Sequence, residues 1–242
     1  MSGARERILA RIRNSLNRDR LGPEVERGLC ARITAHCRNL IPARAAELDH
    51  QRQIELFVAM AEEVQASVAR VGSLVAVPEA VANYLAAENL PAELLVAPDP
   101  GLDAIPWETR PLLRIRRGRA EGEDKVSFTP CYAAIAETGT LMLISGPQTP
   151  TTLNFLPDTH IVLVHKAQVV ASYEDAWDRL RADPKAEVLP RVINFITGPS
   201  RTADIEQHIE LGAHGPRRLH IVLVDNGQAT RSEYEQHDAL TN

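Results

Sequence analysis

Residues 192–224 read VINFITGPSRTADIEQHIELGAHGPRRLHIVLV, in which two apolar runs, VINFIT and LHIVLV, flank a segment rich in turn residues. Runs that are apolar at consecutive positions are typical of strands buried on both faces. The intervening sequence predicts a turn at 198–200 and a helix over about 202–211. A strand, a helix and a second strand in this order predict a parallel sheet covered by helices.

The same alternation continues upstream. We predict strands at 74–77, 93–97, 112–115, 133–136, 141–145 and 160–165, and helices at 79–89 and 173–182. The runs at 133–136 and 141–145 are too close in sequence for a helical crossover, so this pair is expected to be antiparallel or joined by a sharp bend. The fold class is therefore α/β, with a mostly parallel sheet.

The N-terminal part of the chain shows helical patterns without strands between them. Apolar residues recur at helical spacing over 4–18, 24–39 and 52–71. A linker is predicted at 41–49, because its proline removes a backbone donor and restricts the preceding residue. We therefore predict an N-terminal helical extension over 1–45 and an α/β domain over 46–242, with a polar tail from about 227.

The first predicted helix is basic as well as amphipathic. Ile8, Ile12 and Leu16 share its apolar stripe, and arginines occupy much of the remaining surface. Such a helix either binds a partner or a membrane surface, or packs on its own domain. In the second helix, Cys30 and Cys37 lie near the apolar face and are expected to fill the core.

Composition excludes several classes of function. A net charge of −5 and 4% aromatic residues supply neither the attraction nor the stacking that nucleic-acid binding uses. No apolar run approaches the roughly 20 residues of a membrane span, and the charged start lacks the apolar stretch of a signal peptide, so we expect a cytoplasmic protein. The 3 cysteines are too few and too scattered for a disulfide framework, a zinc site or an iron–sulfur cluster. We expect no cofactor on this chain.

The turn after VINFIT is the first candidate ligand site. A strand-to-helix turn lies at the carboxyl end of its strand, where free backbone N–H groups hold a phosphate or carboxylate. The Arg201 guanidinium would add a bidentate contact. The alternative is a capped helix start with local hydrogen bonds only. This candidate comprises Gly198, Pro199, Ser200, Arg201, Thr202 and Asp204.

The bend AETGT between two predicted strands is the second candidate. Glu137 is the only acid in the apolar stretch 131–144, so its carboxylate should be partly desolvated or bound by a donor. It is a candidate general base or carboxylate nucleophile. The alternative is structural, with Glu137 accepting hydrogen bonds from Thr138, Thr140 or the amides around Gly139.

Histidine spacing argues against a metal site. An odd spacing places His160 and His165 on opposite faces of a strand, so they cannot share an ion. His214, in a turn with Gly215, is the best single candidate, but a second ligand at suitable spacing is missing. We therefore predict no metal, and we add His214 and Gly215 to the ligand site.

The sequence of the loop 146–157 predicts a short capped helical turn over 153–155.

Three segments, AETGTLMLISGPQTP, FLPDTHIVLV and ITGPSRTADIEQHIELGAHGPRRLHIVLVDN, resemble the LUD domain of the lactate utilization protein C family. The resemblance is strongest over 131–225, and RERILARIRNSL resembles the opening helix of that family. It implies a three-layer α/β fold similar to those of ribose-phosphate isomerases, glucosamine-phosphate deaminases and CoA transferases. It also implies a role beside iron–sulfur partner subunits in oxidising L-lactate to pyruvate.

The leading hypothesis is an accessory subunit of lactate oxidation that carries a small-anion site. In it, the Glu137 bend and the Gly198 turn meet at one edge of the sheet, and Glu137 orients the ligand or moves a proton. The alternative is a CoA-transferase-like or sugar-phosphate-processing enzyme that uses Glu137, because ETGT is similar to the glutamate-bearing loop of CoA transferases. A third hypothesis is an interaction protein that docks a partner through its basic first helix.

Overall fold

The computed structural model describes residues 2–17, 21–183, 189–203 and 209–225. The chain divides into two compact units, 1–40 and 41–242. The polar tail predicted from about 227 lies outside the described residues. Within the described ranges, no helix combines the length and the apolar character that a membrane crossing requires.

The N-terminal unit contains helix α1, Ser2–Ser15, and helix α2, Pro23–Ala35. No residue of α2 is buried, and Cys30 and Cys37 are both exposed. The expectation that these cysteines fill a core is therefore wrong. A unit built on two short helices is too small to enclose the apolar faces of both.

The second unit is built on a six-stranded sheet in the order β1-β12-β7-β4-β2-β3, with every neighbouring pair parallel. Its strands are β1, Ser67–Val71; β2, Glu93–Val96; β3, Arg114–Arg117; β4, Val126–Pro130; β7, Thr159–His165; and β12, Arg218–Val224. Helix α4, His50–Glu63, follows the short helix α3, Ala43–Ala46, and packs on one face; helix α5, Val77–Ala87, packs on the other. The predicted three-layer α/β class with a mostly parallel sheet is confirmed.

A second sheet of four strands lies on the α4 side, in the order β8-β5-β6-β9. Its strands are β5, Ala133–Ile135; β6, Thr140–Ile144; β8, Val169–Val170; and β9, Ile193–Ile196. The predicted antiparallel pairing of the runs at 133–136 and 141–145 is confirmed, since β5 and β6 pair in this sense. Alternate residues of β5 and β6 face α4 or helix α7, Tyr173–Ala182, so this small sheet is buried on both faces. Helix α6, Thr152–Phe155, forms the predicted turn before β7.

Some local predictions are wrong. The helix expected over 52–71 ends at Glu63, because Gln65 takes a left-handed φ of 68°, and the β-branched residues after it join β1. The expected strand at 74–77 is a 3₁₀ turn, Leu74–Ala76, that leads into α5, where Pro78 suits the first helical turn.

Strand β4 was not predicted, although it lies in the centre of the main sheet. Ser127 and Thr129 interrupt its apolar pattern, yet both are buried and hydrogen bonded. Ser127 Oγ donates to the Leu153 carbonyl at 2.6 Å, and Thr129 Oγ1 lies 2.7 Å from His160 Nε2. Because hydrogen bonds satisfy Ser127 and Thr129, both can be buried. The strand therefore has no continuous apolar run by which the sequence would reveal it.

The helix predicted over 202–211 is also wrong at both of its ends, and residues 204–208 lie outside the described ranges. Strand β10, Arg201–Ala203, pairs antiparallel with β11, Ile209–Leu211. The Ser200 carbonyl, which a helix starting at this point would use for its first intrahelical bond, accepts instead from the Gly212 N–H at 3.0 Å. The turn at 198–200 therefore has no helix dipole to attract an anion. Asp204 lies outside the described residues.

Two glycines place the small sheet directly on α4. Gly139 and Gly198 have φ angles of 65° and 71°, a region that favours glycine. A Cβ at Gly139 would overlap the backbone of Met60 and Ala61, and a Cβ at Gly198 would overlap the Val64 carbonyl. The backbone at both bends thus contacts the last turns of the helix without room for a side chain.

We expect Gly139→Ala and Gly198→Ala each to lower the free energy of unfolding by at least about 2 kcal/mol, because each adds left-handed strain and a backbone clash. Gly215→Ala is the matched control, since its Cβ would lie 3.5 Å from Ser200 Cβ, an ordinary contact. Urea unfolding followed by circular dichroism measures the difference. Similar midpoints for all three variants would contradict this packing.

Candidate functional site

The bend after β5 and the turn after β9 lie at the same end of the four-stranded sheet, because β6 pairs with both strands. Thr140 Oγ1 and Thr197 Oγ1 form a hydrogen bond of 2.6 Å across the two segments. Thr140 Oγ1 also lies 2.7 Å from Thr138 Oγ1 and 2.9 Å from Tyr173 OH. The two segments identified from the sequence therefore meet through a cluster of mutually hydrogen-bonded hydroxyls.

Glu137 lies at the start of α7 with only 5% of its surface exposed. Its Oε1 accepts a hydrogen bond of 2.9 Å from the Tyr173 N–H, one of the amides that a helix start leaves free. Ser172 and Asp175 complete this helix start with reciprocal side-chain to backbone bonds. The Arg44 guanidinium donates to the Glu137 backbone carbonyl at 2.5 Å. These contacts give Glu137 a structural role. The hydroxyls of Thr138 and Thr140, which were expected to donate to Glu137, bond to each other instead.

Because a glutamine oxygen can still accept from the Tyr173 N–H, we expect Glu137→Gln to cost less than about 1 kcal/mol of unfolding free energy. Glu137→Ala removes the acceptor and should cost about 2 kcal/mol. Chemical denaturation of both variants at neutral pH distinguishes them. Equal losses would show that this hydrogen bond contributes nothing to the helix start.

Arg201 makes a contact outside the predicted ligand site. Its guanidinium donates to the Val64 carbonyl at 2.8 Å, at the C-terminal end of α4. Basic side chains commonly satisfy the last carbonyl groups of a helix in this way. The side chain of Thr202 lies outside the described structure.

A cleft with a volume of about 230 Å³ opens beside the 198–200 turn. Its other walls are α6 and the loop 214–216, and His160 and Leu219 border it from the main sheet. These two residues are paired near the amino ends of β7 and β12, so the cleft does not lie at the carboxyl edge of the main sheet. The predicted ligand-site residues that line it are Gly198, Pro199, Ser200, His214 and Gly215; Glu137, Thr138, Gly139, Thr140 and Arg201 do not.

Hydrogen bonds between the turn and the loop fix the shape of this cleft. The Ser200 N–H donates to the Pro216 carbonyl at 2.8 Å, and the His214 N–H donates to Ser200 Oγ at 3.3 Å. Phe155 and Phe195 stand at the cleft with 40% and 37% of their surfaces exposed. The walls are thus largely apolar, with hydroxyl and imidazole groups between the apolar side chains.

His160 was considered from the sequence only as a metal ligand, yet it is one of two buried polar residues among the described residues of the cleft, the other being Asn154. It has 0% exposure, and its Nε2 lies 2.7 Å from Thr129 Oγ1 on β4. Its Nδ1 has no hydrogen-bond partner in the part of the chain that the structure describes. Burial lowers the pKa of His160 to about 3, so the imidazole is neutral near pH 7. Its place inside an apolar strand was the available sequence signal. Asn154 and Phe155 lie in the helical turn predicted over 153–155, whereas Phe195 and Thr197 gave no separate signal.

His220 is a second buried imidazole, away from the cleft. Its Nδ1 lies 2.8 Å from Ser67 Oγ, and its ring stacks on Tyr84 with centroids 3.8 Å apart. Burial lowers the pKa of His220 to about 4. No group of three or more metal-ligating side chains occurs among the described residues.

The buried histidines predict acid sensitivity. Their folded-state pKa values, about 3 and about 4, lie below the unfolded value, so the unfolded chain binds more protons as pH falls below about 6.5. Stability is therefore lost on acidification, by about 2 kcal/mol per histidine between pH 7 and pH 5. Urea unfolding at both pH values should show a smaller loss in His220→Gln than in the wild type. The same loss in both would contradict this assignment.

These features define an α/β protein with a parallel six-stranded sheet, a small sheet docked through α4, and a cleft formed by glycine-containing turns. The LUD domain family matches residues 102–224, just over half of the 242 residues. The chain belongs to the LUD domain family.

Several relatives carry the name lactate utilization protein C. Those of Geobacillus sp. (strain WCH70) and Bacillus subtilis (strain 168) are 38% identical over 100 residues and 35% identical over 102 residues. The matches cover 41% and 42% of this chain and 42% of each relative. An uncharacterized protein of Neisseria meningitidis serogroup B is 33% identical over 110 residues, 46% of each chain. The matched segment therefore spans less than half of these relatives.

A solved structure shares the fold. The crystal structure of a DUF162 family protein from Deinococcus radiodurans matches with a TM-score of 0.55 at 24% sequence identity. The match covers 73% of this chain and 99% of that chain. It supports the α/β architecture.

Proposed function

We propose that this chain acts in the cytoplasm as an accessory subunit of L-lactate utilization, beside iron–sulfur proteins that take part in oxidising L-lactate to pyruvate. The observation that carries the proposal is the similarity to proteins named lactate utilization protein C, at 38% and 35% identity, within the LUD domain family. The partners and the reaction come from the family resemblance.

The cysteines of this chain support a role without its own cluster. An iron–sulfur cluster is held by about four cysteine thiolates, and the sequence has 3 cysteines. Cys131 is buried, and desolvation raises the pKa of its thiol to about 12, which opposes the thiolate form that binds metal. Electron transfer in this proposal therefore takes place on the partner proteins.

We propose that the small-anion site of this subunit is the cleft between the 198–200 turn and the 214–216 loop. Ser200 and His214 bring a hydroxyl and an imidazole to its walls. Gly215 borders the cleft without a side chain, and an added Cβ would make ordinary contacts with Ser200 and Phe155 at 3.5 and 3.7 Å. A small ligand can thus occupy this cleft without displacing a side chain.

The geometry supports a CoA-transferase-like or sugar-phosphate-processing enzyme less well. Such an enzyme needs the Glu137 carboxylate in contact with its substrate. Glu137 is 5% exposed, its Oε1 accepts from the Tyr173 N–H, and it does not line the cleft. Turnover of acyl-CoA donors or phosphosugars that disappears in Glu137→Gln would favour the enzyme.

Growth on L-lactate tests the proposed function. A strain of the source organism that lacks this gene should fail to grow on L-lactate and should grow normally on pyruvate, because only the oxidation step is missing. Wild-type protein should restore growth. Gly215→Leu, which fills the cleft from a site whose Cβ fits, should restore less than about a tenth of the growth rate.

Gly122→Leu is the matched control, because Gly122 lies in an exposed loop with nothing within 4 Å of its Cβ position. It should restore wild-type growth. Normal growth of the deletion strain on L-lactate would refute the role in lactate utilization. Full restoration by Gly215→Leu would refute the cleft as its site.

A further inference from the structure

The inner end of the cleft has a buried polar atom that no described residue satisfies. Several buried side-chain atoms lack a hydrogen-bond partner within the described ranges, and among them only His160 Nδ1 belongs to a residue that lines the cleft. Buried polar atoms are nearly always paired in native proteins, so an unpaired one on a residue that borders a cleft calls for a partner from outside the chain, a ligand atom or a water.

The other ring nitrogen indicates which atom carries the proton. Thr129 is 3% exposed, and within the described chain its hydroxyl bonds to His160 Nε2. Either tautomer leaves one hydrogen without an acceptor among the described residues: the Thr129 O–H if Nε2–H donates, or Nδ1–H if Thr129 donates. His160 borders the cleft and Thr129 does not, so a ligand oxygen can satisfy only the second arrangement, in which Thr129 donates to Nε2 and the proton of the neutral imidazole lies on Nδ1.

Resting on the proposed function, we propose that His160 Nδ1–H donates to a carboxylate oxygen of a small 2-hydroxy or 2-oxo monocarboxylate bound in this cleft. The ligand enters from the open side, past Phe155 and Phe195, and its carboxylate meets His160 at the inner end. Ser200 and Asn154 lie on the walls for the remaining oxygens.

The charge of the cleft selects this ligand class over phosphates. None of the described residues that line it is a lysine or an arginine, and the Arg201 guanidinium is engaged by the Val64 carbonyl. A phosphate with nearly two negative charges requires cationic partners that these walls lack. A monocarboxylate carries one charge, which neutral N–H and O–H donors can bind, and its short carbon chain suits Leu219 and Phe155.

Two amide substitutions test the role of Nδ1. In His160→Asn the side-chain amide nitrogen falls near the position of Nδ1. In His160→Gln the amide group falls near Nε2, where its oxygen can accept from the Thr129 hydroxyl, and no donor remains near Nδ1. Isothermal titration calorimetry of the full chain with pyruvate, and separately with L-lactate, measures the affinity. We expect His160→Asn to bind within about threefold of wild type and His160→Gln to bind at least about tenfold more weakly.

Equal affinities of the two variants, whether both strong or both weak, would overturn the role of Nδ1. Tighter binding of inorganic phosphate than of pyruvate by the wild type would overturn the ligand class, as would equal binding of the neutral isostere lactamide. Binding of neither pyruvate nor L-lactate to the wild type would overturn the carboxylate assignment. Growth of the deletion strain on L-lactate tests the proposed function independently of ligand binding, so the two failures are distinguishable.

Nuclear magnetic resonance keeps the test valid if a variant fails to fold. In wild-type protein labelled with ¹⁵N-histidine, long-range ¹H–¹⁵N correlations should place the His160 proton on Nδ1, and pyruvate should shift that resonance. A proton on Nε2 in the free protein, or no shift at saturating pyruvate, would refute the proposal.

Discussion

The contact of two glycine backbones with the last turns of α4 determines how the small sheet sits on the main one. Gly139 and Gly198 belong to bends at one end of the small sheet, and both approach α4 with no space for a Cβ. The same helix packs on the main sheet through Ile54 and Phe57. The Arg201 guanidinium adds a hydrogen bond to the end of α4. One helix thus fixes both sheets, and the 198–200 turn that walls the cleft takes its position from it.

This arrangement produces two polar regions of different character. Thr138, Thr140, Thr197 and Tyr173 satisfy one another's hydroxyls, so their cluster stabilises the junction of the two bends. His160, which lines the cleft together with Thr197, has one nitrogen paired within the sheet and one without a partner among the described residues. A satisfied network makes the wall rigid, and an unsatisfied donor at the end of a rigid cleft is pre-organised for an oxygen atom.

The sequence predicted the parts of the fold in which burial alone selects the residues. The runs at 160–165 and 219–224 became β7 and β12 because strands buried on both faces must be apolar throughout. It failed where hydrogen bonds across the fold decide the structure. Strand β4 contains Ser127 and Thr129, which are satisfied by α6 and β7. Strands β10 and β11 pair with each other beside the bonds that join Ser200 to the 212–216 loop.

The candidate site also shows how far the sequence can predict function. Glycine allows close approach by any group, and a motif does not reveal whether that group is a ligand or another part of the chain. At Gly139 and Gly198 the approaching group is α4, whereas a Cβ at Gly215 would make only ordinary contacts with Ser200 and Phe155. Gly139 and Gly198, which lie in the bends predicted to hold a ligand, thus allow α4 to pack closely, and Gly215 borders the cleft. His160 belongs to neither bend, and its buried Nδ1 atom has no hydrogen-bond partner among the described residues.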